Sequence, residues 1–149
     1  MVVYNFYLFD RNGTCLHYAE WSRHRKAGMA DDEEYKLLYG ICCSCIKSFI
    51  NRYLSRPAIS KDGFLCYSTS KYKLHFYETP SGLKFVMNTD QSIPGNIRDV
   101  LHQLYSQIYV EYVVKNPMCA LGEPITSELF KSKLDEFVRS LPIFNAKPA

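Results

Sequence analysis

The sequence predicts an α+β fold in which a five-stranded antiparallel sheet lies between helices, in the order ββαβββαα. Three observations carry this expectation. The chain opens with an aromatic, alternating segment broken by Asn12-Gly13. A second strand-rich block spans residues 62–90, and three segments show apolar residues at helical spacing. Strand blocks interrupted by turn residues and accompanied by amphipathic helices indicate a sheet covered by helices. A chain of 149 residues is one ordinary domain, and such a domain buries roughly 70% of its unfolded surface without staples. We expect one domain over 1–145 and a short flexible C-terminus over 146–149.

The elements follow in order. Residues 4–9 and 14–21 flank Asp10-Arg11-Asn12-Gly13, where Asn-Gly supplies the positive φ angles of a tight hairpin. A polar connection carries the basic cluster Arg23-His24-Arg25-Lys26. Asp31 then caps a helix and Glu34 closes its capping box, with the acids opposing the positive end of the dipole. Tyr35, Leu38, Tyr39, Cys42, Ile46, Phe49, Ile50 and Tyr53 recur at helical spacing until Arg56-Pro57 stops the run. Three strands follow over 63–69, 71–77 and 83–88, the last two joined at Thr79-Pro80-Ser81-Gly82. A second helix starts at Gly95-Asn96, carries Ile97, Val100, Leu101, Leu104, Ile108 and Tyr112, and ends at Asn116-Pro117. The third presents Phe130, Leu134, Phe137, Val138 and Leu141 on one face. In this topology the sheet edges are the strands over 14–21 and 63–69, whose open backbone groups need cover.

Composition narrows the function. The net charge is +3, with 18 Lys and Arg against 15 Asp and Glu. A nucleic-acid binder would carry a basic stripe and a higher pI. The 12 Tyr and 9 Phe suit strands and interfaces. Six cysteines (Cys15, Cys42, Cys43, Cys45, Cys66 and Cys119) occur without a secretory leader pattern after Met1. They read as reduced, buried thiols of a cytosolic protein. Cys42, Cys43 and Cys45 point in different directions around a helix and do not share one zinc. No apolar run approaches the roughly 18 residues of a membrane span, so membrane association is expected to be peripheral.

Chemical signatures are sparse. Neither G-x-G-x-x-G nor G-x-x-x-x-G-K-[ST] occurs, and His17, His24, His75 and His102 lie at no metal-ligand spacing. No cofactor is expected. An enzyme reading, such as a cysteine hydrolase using Cys66 and His75, has no oxyanion device or orienting acid to support it. The basic cluster is either solvated or binds anionic lipid or an acidic partner. Trp21, the single tryptophan, is either a core plug or an interface anchor.

One helix face remains. Opposite its apolar stripe, the first predicted helix carries Glu33, Lys36, Lys47 and Asn51, interspersed with Leu37 and Cys43. A purely solvated face would be more charged. These six residues, with Trp21, are the candidate partner-binding set, against the alternative that Leu37 and Cys43 mark a broad core boundary.

Several separate blocks share one likeness. Tyr7-Leu8-Phe9-Asp10-Arg11-Asn12-Gly13, Cys15-Leu16-His17-Tyr18, Glu20-Trp21, Glu33-Glu34-Tyr35-Lys36-Leu37, the stretch TSKYKLHFYETPSGLKFVMNTD, Arg98-Asp99-Val100-Leu101, Tyr109-Val110-Glu111, Val113-Val114-Lys115-Asn116-Pro117 and Ser127-Glu128-Leu129-Phe130 occur in this order. Over nearly its whole length the chain resembles the smallest longin-type subunits of the transport protein particle (TRAPP), a vesicle-tethering complex. The resemblance implies a longin-like (sedlin/SNARE-like) domain with the first helix on one sheet face and the last two on the other. It implies a non-catalytic scaffold that pairs with a second longin-type subunit and other TRAPP subunits. It also implies that the pair presents a surface for a Rab-family GTPase, for which the assembled core is a nucleotide exchange factor in endoplasmic-reticulum-to-Golgi transport. The implied location is cytoplasmic, peripheral at the cis-Golgi and endoplasmic reticulum. The rivals are a small adaptor-complex subunit and the regulatory head of a vesicle SNARE; the latter would continue into a heptad helix and anchor, and the sequence stops at Ala149 with neither.

Overall fold

The structure, a computed structural model, describes residues 2–22, 33, 58–60, 63–68, 71–93 and 97–145. Its strands are β1 (Val3–Phe9), β2 (Cys15–Glu20), β3 (Ala58–Ser60), β4 (Gly63–Ser68), β5 (Lys73–Glu78) and β6 (Lys84–Thr89). They form one antiparallel sheet in the spatial order β2-β1-β6-β5-β4-β3.

The sheet thus has six strands where the sequence pattern suggests five. β3 follows Arg56-Pro57 directly and pairs with β4 through Ile59↔Phe64 and Ser60↔Gly63. Three residues are too short to display a period of two, and Pro57 reads only as a helix stop. The far edge therefore belongs to β3 and not to β4. The expected order ββαβββαα gains a strand accordingly. The first predicted helix lies outside the described residues except for Glu33, which is helical and exposed. The basic cluster at 23–26 and the expected flexible end at 146–149 also lie outside them.

Two hairpins set the register. In the first, the Asp10 carboxylate accepts the backbone N–H groups of Asn12 and Thr14 at 2.9 and 2.8 Å, and Gly13 takes φ 91°. The side chain of Asp10 thus organises the turn as much as Asn12-Gly13 does. In the second, Thr79 N–H donates to the Leu83 carbonyl and Gly82 N–H to the Thr79 carbonyl, both at 2.9 Å. Gly82 has φ 88°, and a Cβ there would lie 2.9 Å from the Cβ of Arg11. The two turns therefore pack against each other at Gly82, where the absence of a side chain makes room for Arg11.

β1 and β6 are central, and both faces of the sheet are buried there. One face carries Phe6, Leu8, Phe85 and Met87, joined by Leu16 and Tyr77. The other carries Tyr7, Phe9, Leu74, Phe76 and Val86. Residues two apart share a face of a pleated strand, which explains this division.

The first face is covered by helices. α1 (Arg98–Gln103) continues directly as a π-helix over Leu104–Val114. The Lys115 N–H bonds the Val110 carbonyl, five residues back, at 3.0 Å, the spacing of a π turn. That winding changes the inward face. Leu104, Ile108, Tyr109 and Val113 are buried, spaced to form one stripe on a helix of roughly four to five residues per turn. The expected period of 3.6 assigns Tyr112 to the core; it is half-buried and packs there, while Tyr109 and Val113 are buried more fully.

α2 (Glu128–Ser140) starts at Ser127, whose hydroxyl accepts the Phe130 N–H at 3.3 Å. Phe130, Leu134 and Val138 are buried at steps of four, as expected, and Phe137 is half-buried. Exposed ion pairs Glu128–Lys131, Lys133–Glu136 and Asp135–Arg139 run along the outer side. α3 (Pro142–Asn145) folds back so that the Phe144 ring lies under the Arg139 guanidinium at 5.5 Å.

Replacing Gly82 by Ala should cost about 1–3 kcal/mol, since a side chain there is strained in φ and collides with Arg11. Urea denaturation of G82A measures it, and a wild-type midpoint would contradict the packing of the two turns.

Candidate partner-binding surfaces

Trp21 ends β2. Its N–H donates to the Tyr4 carbonyl at 2.9 Å, and the indole Nε1–H donates to Asp135 Oδ1 of α2 at 2.6 Å. Arg139 Nε donates to the other Asp135 oxygen at 2.7 Å. These two donors, Arg139 first, hold the Asp135 carboxyl below the usual carboxylate range. The half-buried ring packs against the main core. Trp21 therefore fastens the edge of the sheet to α2, and any contact with a partner uses only the part of the ring left exposed.

The two sheet edges are both guarded. On β2, the Leu16 carbonyl accepts the N–H of Ile125 at 2.7 Å, and Ile125 is buried. Pro124 precedes it and has no N–H to offer. At the other edge, β3 spans three residues. A short strand and a covering loop are ways in which proteins prevent unwanted strand pairing.

The histidines are buried or engaged on the surface. His75 is 1% exposed, and its Nε2 lies 2.9 Å from Thr89 Oγ1. Its Nδ1 is buried with no partner. Charging the ring would therefore bury a donor with nothing to accept from it. Burial, with Lys73 nearby, accordingly lowers the pKa to about 4. His17 sets its ring edge-on to Phe130 at 5.1 Å, and burial, then Lys131, lowers its pKa to about 4. His102 Nδ1 meets the Tyr77 hydroxyl at 2.9 Å. His24 lies outside the described residues.

Cys66 stands directly opposite His75 in the β4–β5 register, as their neighbouring strands require. Both residues are buried, and the one bonded nitrogen of His75 is held by Thr89. Cys15, Cys66 and Cys119 are free thiols, and burial pushes Cys15 up to about 11. Among the described residues, no three His, Cys, Asp or Glu side chains are grouped to hold a metal ion. No described helix is long and apolar enough to cross a membrane.

A surface that the sequence pattern did not mark lies elsewhere. Among the described residues, the exposed large apolar side chains are Val114, Met118, Leu121 and Leu129. All four fall between the end of the π-helix and the first turn of α2. Met118 is 90% exposed. Val114 closes the π-helix and Leu129 lies in α2, while Met118 and Leu121 fall in the loop between, where periodicity gives no sign of them; their one available signal is apolar residues inside a Pro- and Gly-containing loop.

Comparison with known proteins bears on this arrangement. The Sybindin-like family model matches residues 3–141. The chain belongs to that family. It is 59% identical over 147 residues to "Trafficking protein particle complex subunit 1" of Homo sapiens, covering 99% of each chain. The protein of the same name in Dictyostelium discoideum is 39% identical over 145 residues, covering 97% of this chain and all of that one. "Transport protein particle subunit bet5" of Schizosaccharomyces pombe is 33% identical over 161 residues, with coverage of 97% and 100%.

A Sybindin-like domain presents candidate contacts on its outside, and the residues expected from sequence divide as follows. Trp21 is half-buried against α2 and Glu33 is exposed on a helix. Lys36, Leu37, Cys43, Lys47 and Asn51 lie outside the described residues. The expected set is therefore not seen assembled.

Trp21→Phe keeps most of the packing and removes the bond to Asp135. It should lower stability by about 1–2 kcal/mol and raise the Asp135 pKa, which an NMR titration of the carboxyl carbon reports. Acid should destabilise the protein through His17 and His75. The unfolded chain protonates both near pH 6.5, while the folded chain resists until about pH 4. Stability is thus fully present above about pH 6.5 and falls towards pH 4, by up to about 1.4 kcal/mol per pH unit for each histidine. His75→Gln should flatten the slope, and an unchanged slope would contradict the buried neutral state.

Proposed function

We propose that this chain is a non-catalytic core subunit of a vesicle-tethering TRAPP particle. The observation that carries the reading is the full-length similarity to subunits of trafficking particles in animals, an amoeba and a yeast. The burial of the Cys66–His75 pair supports it, because a solitary hydrolase would expose its nucleophile. In this reading the chain pairs with a second longin-type subunit, and the pair docks a Rab-family GTPase. The assembled particle, not this chain, promotes nucleotide exchange during endoplasmic-reticulum-to-Golgi transport. The complex is cytoplasmic and peripheral at the cis-Golgi and endoplasmic reticulum. The contact face is the outer side of the first predicted helix, with Glu33, Lys36, Leu37, Cys43, Lys47 and Asn51, together with the exposed part of Trp21.

The division of labour has a physical basis. Exchange requires groups that expel Mg²⁺ and nucleotide, whereas a scaffold requires only a shaped surface on a rigid fold. Stopped-flow release of a fluorescent guanine nucleotide from a Rab protein tests this. The assembled particle should accelerate release and the isolated chain should not; acceleration by the chain alone would sink the scaffold reading. Charge reversal at Lys36 and Lys47 should leave folding intact, since surface substitutions usually change stability by less than about 0.5 kcal/mol. It should slow association with the partner subunit or the GTPase. Wild-type assembly and exchange by that double variant would remove this face from consideration.

A further inference from the structure

The π-helix carries two apolar stripes, one for each way of winding it. Of its eleven residues only Ser106, Gln107 and Glu111 are neither aliphatic nor Tyr. At about 100° per residue, as in an α-helix, Leu104, Ile108 and Tyr112 form one stripe. At the wider turn of the structure Leu104, Tyr109 and Val113 form another, and all three are buried. A segment with a single stripe is committed to one winding. This one is not.

The wider winding is uncommon, and here side-chain contacts retain it. Tyr109 meets Phe85 edge-on at 6.1 Å and stacks on Tyr105 at 6.0 Å. In the turn where the winding departs from that of α1, the Ser106 hydroxyl donates to the Gln103 carbonyl at 3.2 Å. Such back-bonding competes with the regular helical ladder. At the other end the Lys115 N–H reaches the Val110 carbonyl, where an α-helix would use that of Glu111.

We infer that Leu104–Val114 is a two-register element, with the wider winding as its major state and an α-helical winding as a minor one. In the minor state Tyr112 is buried fully, Val113 turns outward and the Tyr109 ring turns away from Phe85. At roughly four and a half residues per turn and the same pitch, each residue advances about 1.2 Å, against about 1.5 Å in an α-helix. Rewinding therefore lengthens the segment by about 3 Å. The displacement reaches Cys119, whose Sγ–H donates to the Tyr112 carbonyl at 3.9 Å. Ile125, bonded to Leu16, keeps the far end of the loop on the sheet in both windings.

NMR relaxation dispersion on the isotopically labelled full chain tests this. Helix register shifts fall in the microsecond-to-millisecond range, and a minor state of about 1–10% lies within reach of the method. The amides of 104–115 and of Cys119 should share one exchange rate. In the major state the through-hydrogen-bond coupling of the Lys115 N–H should run to the Val110 carbonyl. Tyr109→Leu removes the ring contacts of the wider winding and should raise the minor population at least threefold. Tyr112→Ala removes the side chain that the α-helical winding buries and should lower it at least threefold. The wild-type measurements do not depend on either variant folding. Dispersion absent from 104–114, or a wild-type major state coupled to the Glu111 carbonyl, would overturn the proposal. So would an unchanged minor population in either folded variant.

Discussion

The pairing of β1 with β6 is the constraint on which the rest depends. It joins residues near the N-terminus to residues some eighty positions later, from Val3↔Thr89 to Phe9↔Lys84. Such a non-local pairing costs loop-closure entropy before it gains any contact. Burial on both faces offsets that cost, since Phe6, Leu8, Phe85 and Met87 meet the helices while Tyr7, Phe9 and Val86 fill the opposite side. The pairing also has a polar key. Asn88 Nδ2 donates to Asn5 Oδ1 at 2.8 Å, and Asn5 Nδ2 to the Tyr7 hydroxyl at 3.3 Å. A slip of one residue would break this chain and exchange the two faces. The helical layer is placed by the outcome, because its stripe fits only one of them.

The fold was legible wherever local chemistry agreed with the long-range arrangement. Asp10 through Gly13 and Thr79 through Gly82 are turns by composition, and the structure places hairpins at both. The stripe Phe130, Leu134 and Val138 is a helix face by period and is buried as one. The failures have separate physical causes. β3 is a strand because β4 offers it an edge, and its three residues carry no pattern of their own. The π winding of Leu104–Val114 is also invisible to a period of 3.6. Both Tyr109 and Val113 are accommodated on the sheet by wider turns, next to Phe85, whose ring meets Tyr109 edge-on at 6.1 Å. Wider turns trade regular helical bonding for a broader apolar stripe, and the aromatic sheet beneath supplies the surface to fill it.

The candidate site was less legible, and for a different reason. A pocket with chemistry announces itself by unusual residue types at fixed spacing. A contact surface is made of ordinary residues in unusual exposure, and exposure is a property of the fold. Trp21 illustrates this: the sequence leaves plug and anchor equally open, and only the bond to Asp135 shows that the indole secures α2. Met118 and Leu121 illustrate the reverse. In sequence they are two apolar residues in a loop, and only the fold shows that their neighbours Cys119 and Ile125 turn inward while they do not.

The described interior is chemically quiet. Its polar groups occur in their least reactive forms: His75 is neutral with Nε2 held by Thr89, His17 is neutral against Phe130, and burial keeps the Cys15 thiol protonated. The sheet edges are closed by the Leu16–Ile125 bond at one side and by the brevity of β3 at the other. A domain so arranged gains rigidity at the cost of chemical reach. Rigidity is what a docking surface requires, because a loop or helix face that is already fixed binds without paying again to be ordered. The same contacts that hold β1 to β6 and α2 to β2 therefore also fix the geometry of the exposed side chains between the π-helix and α2.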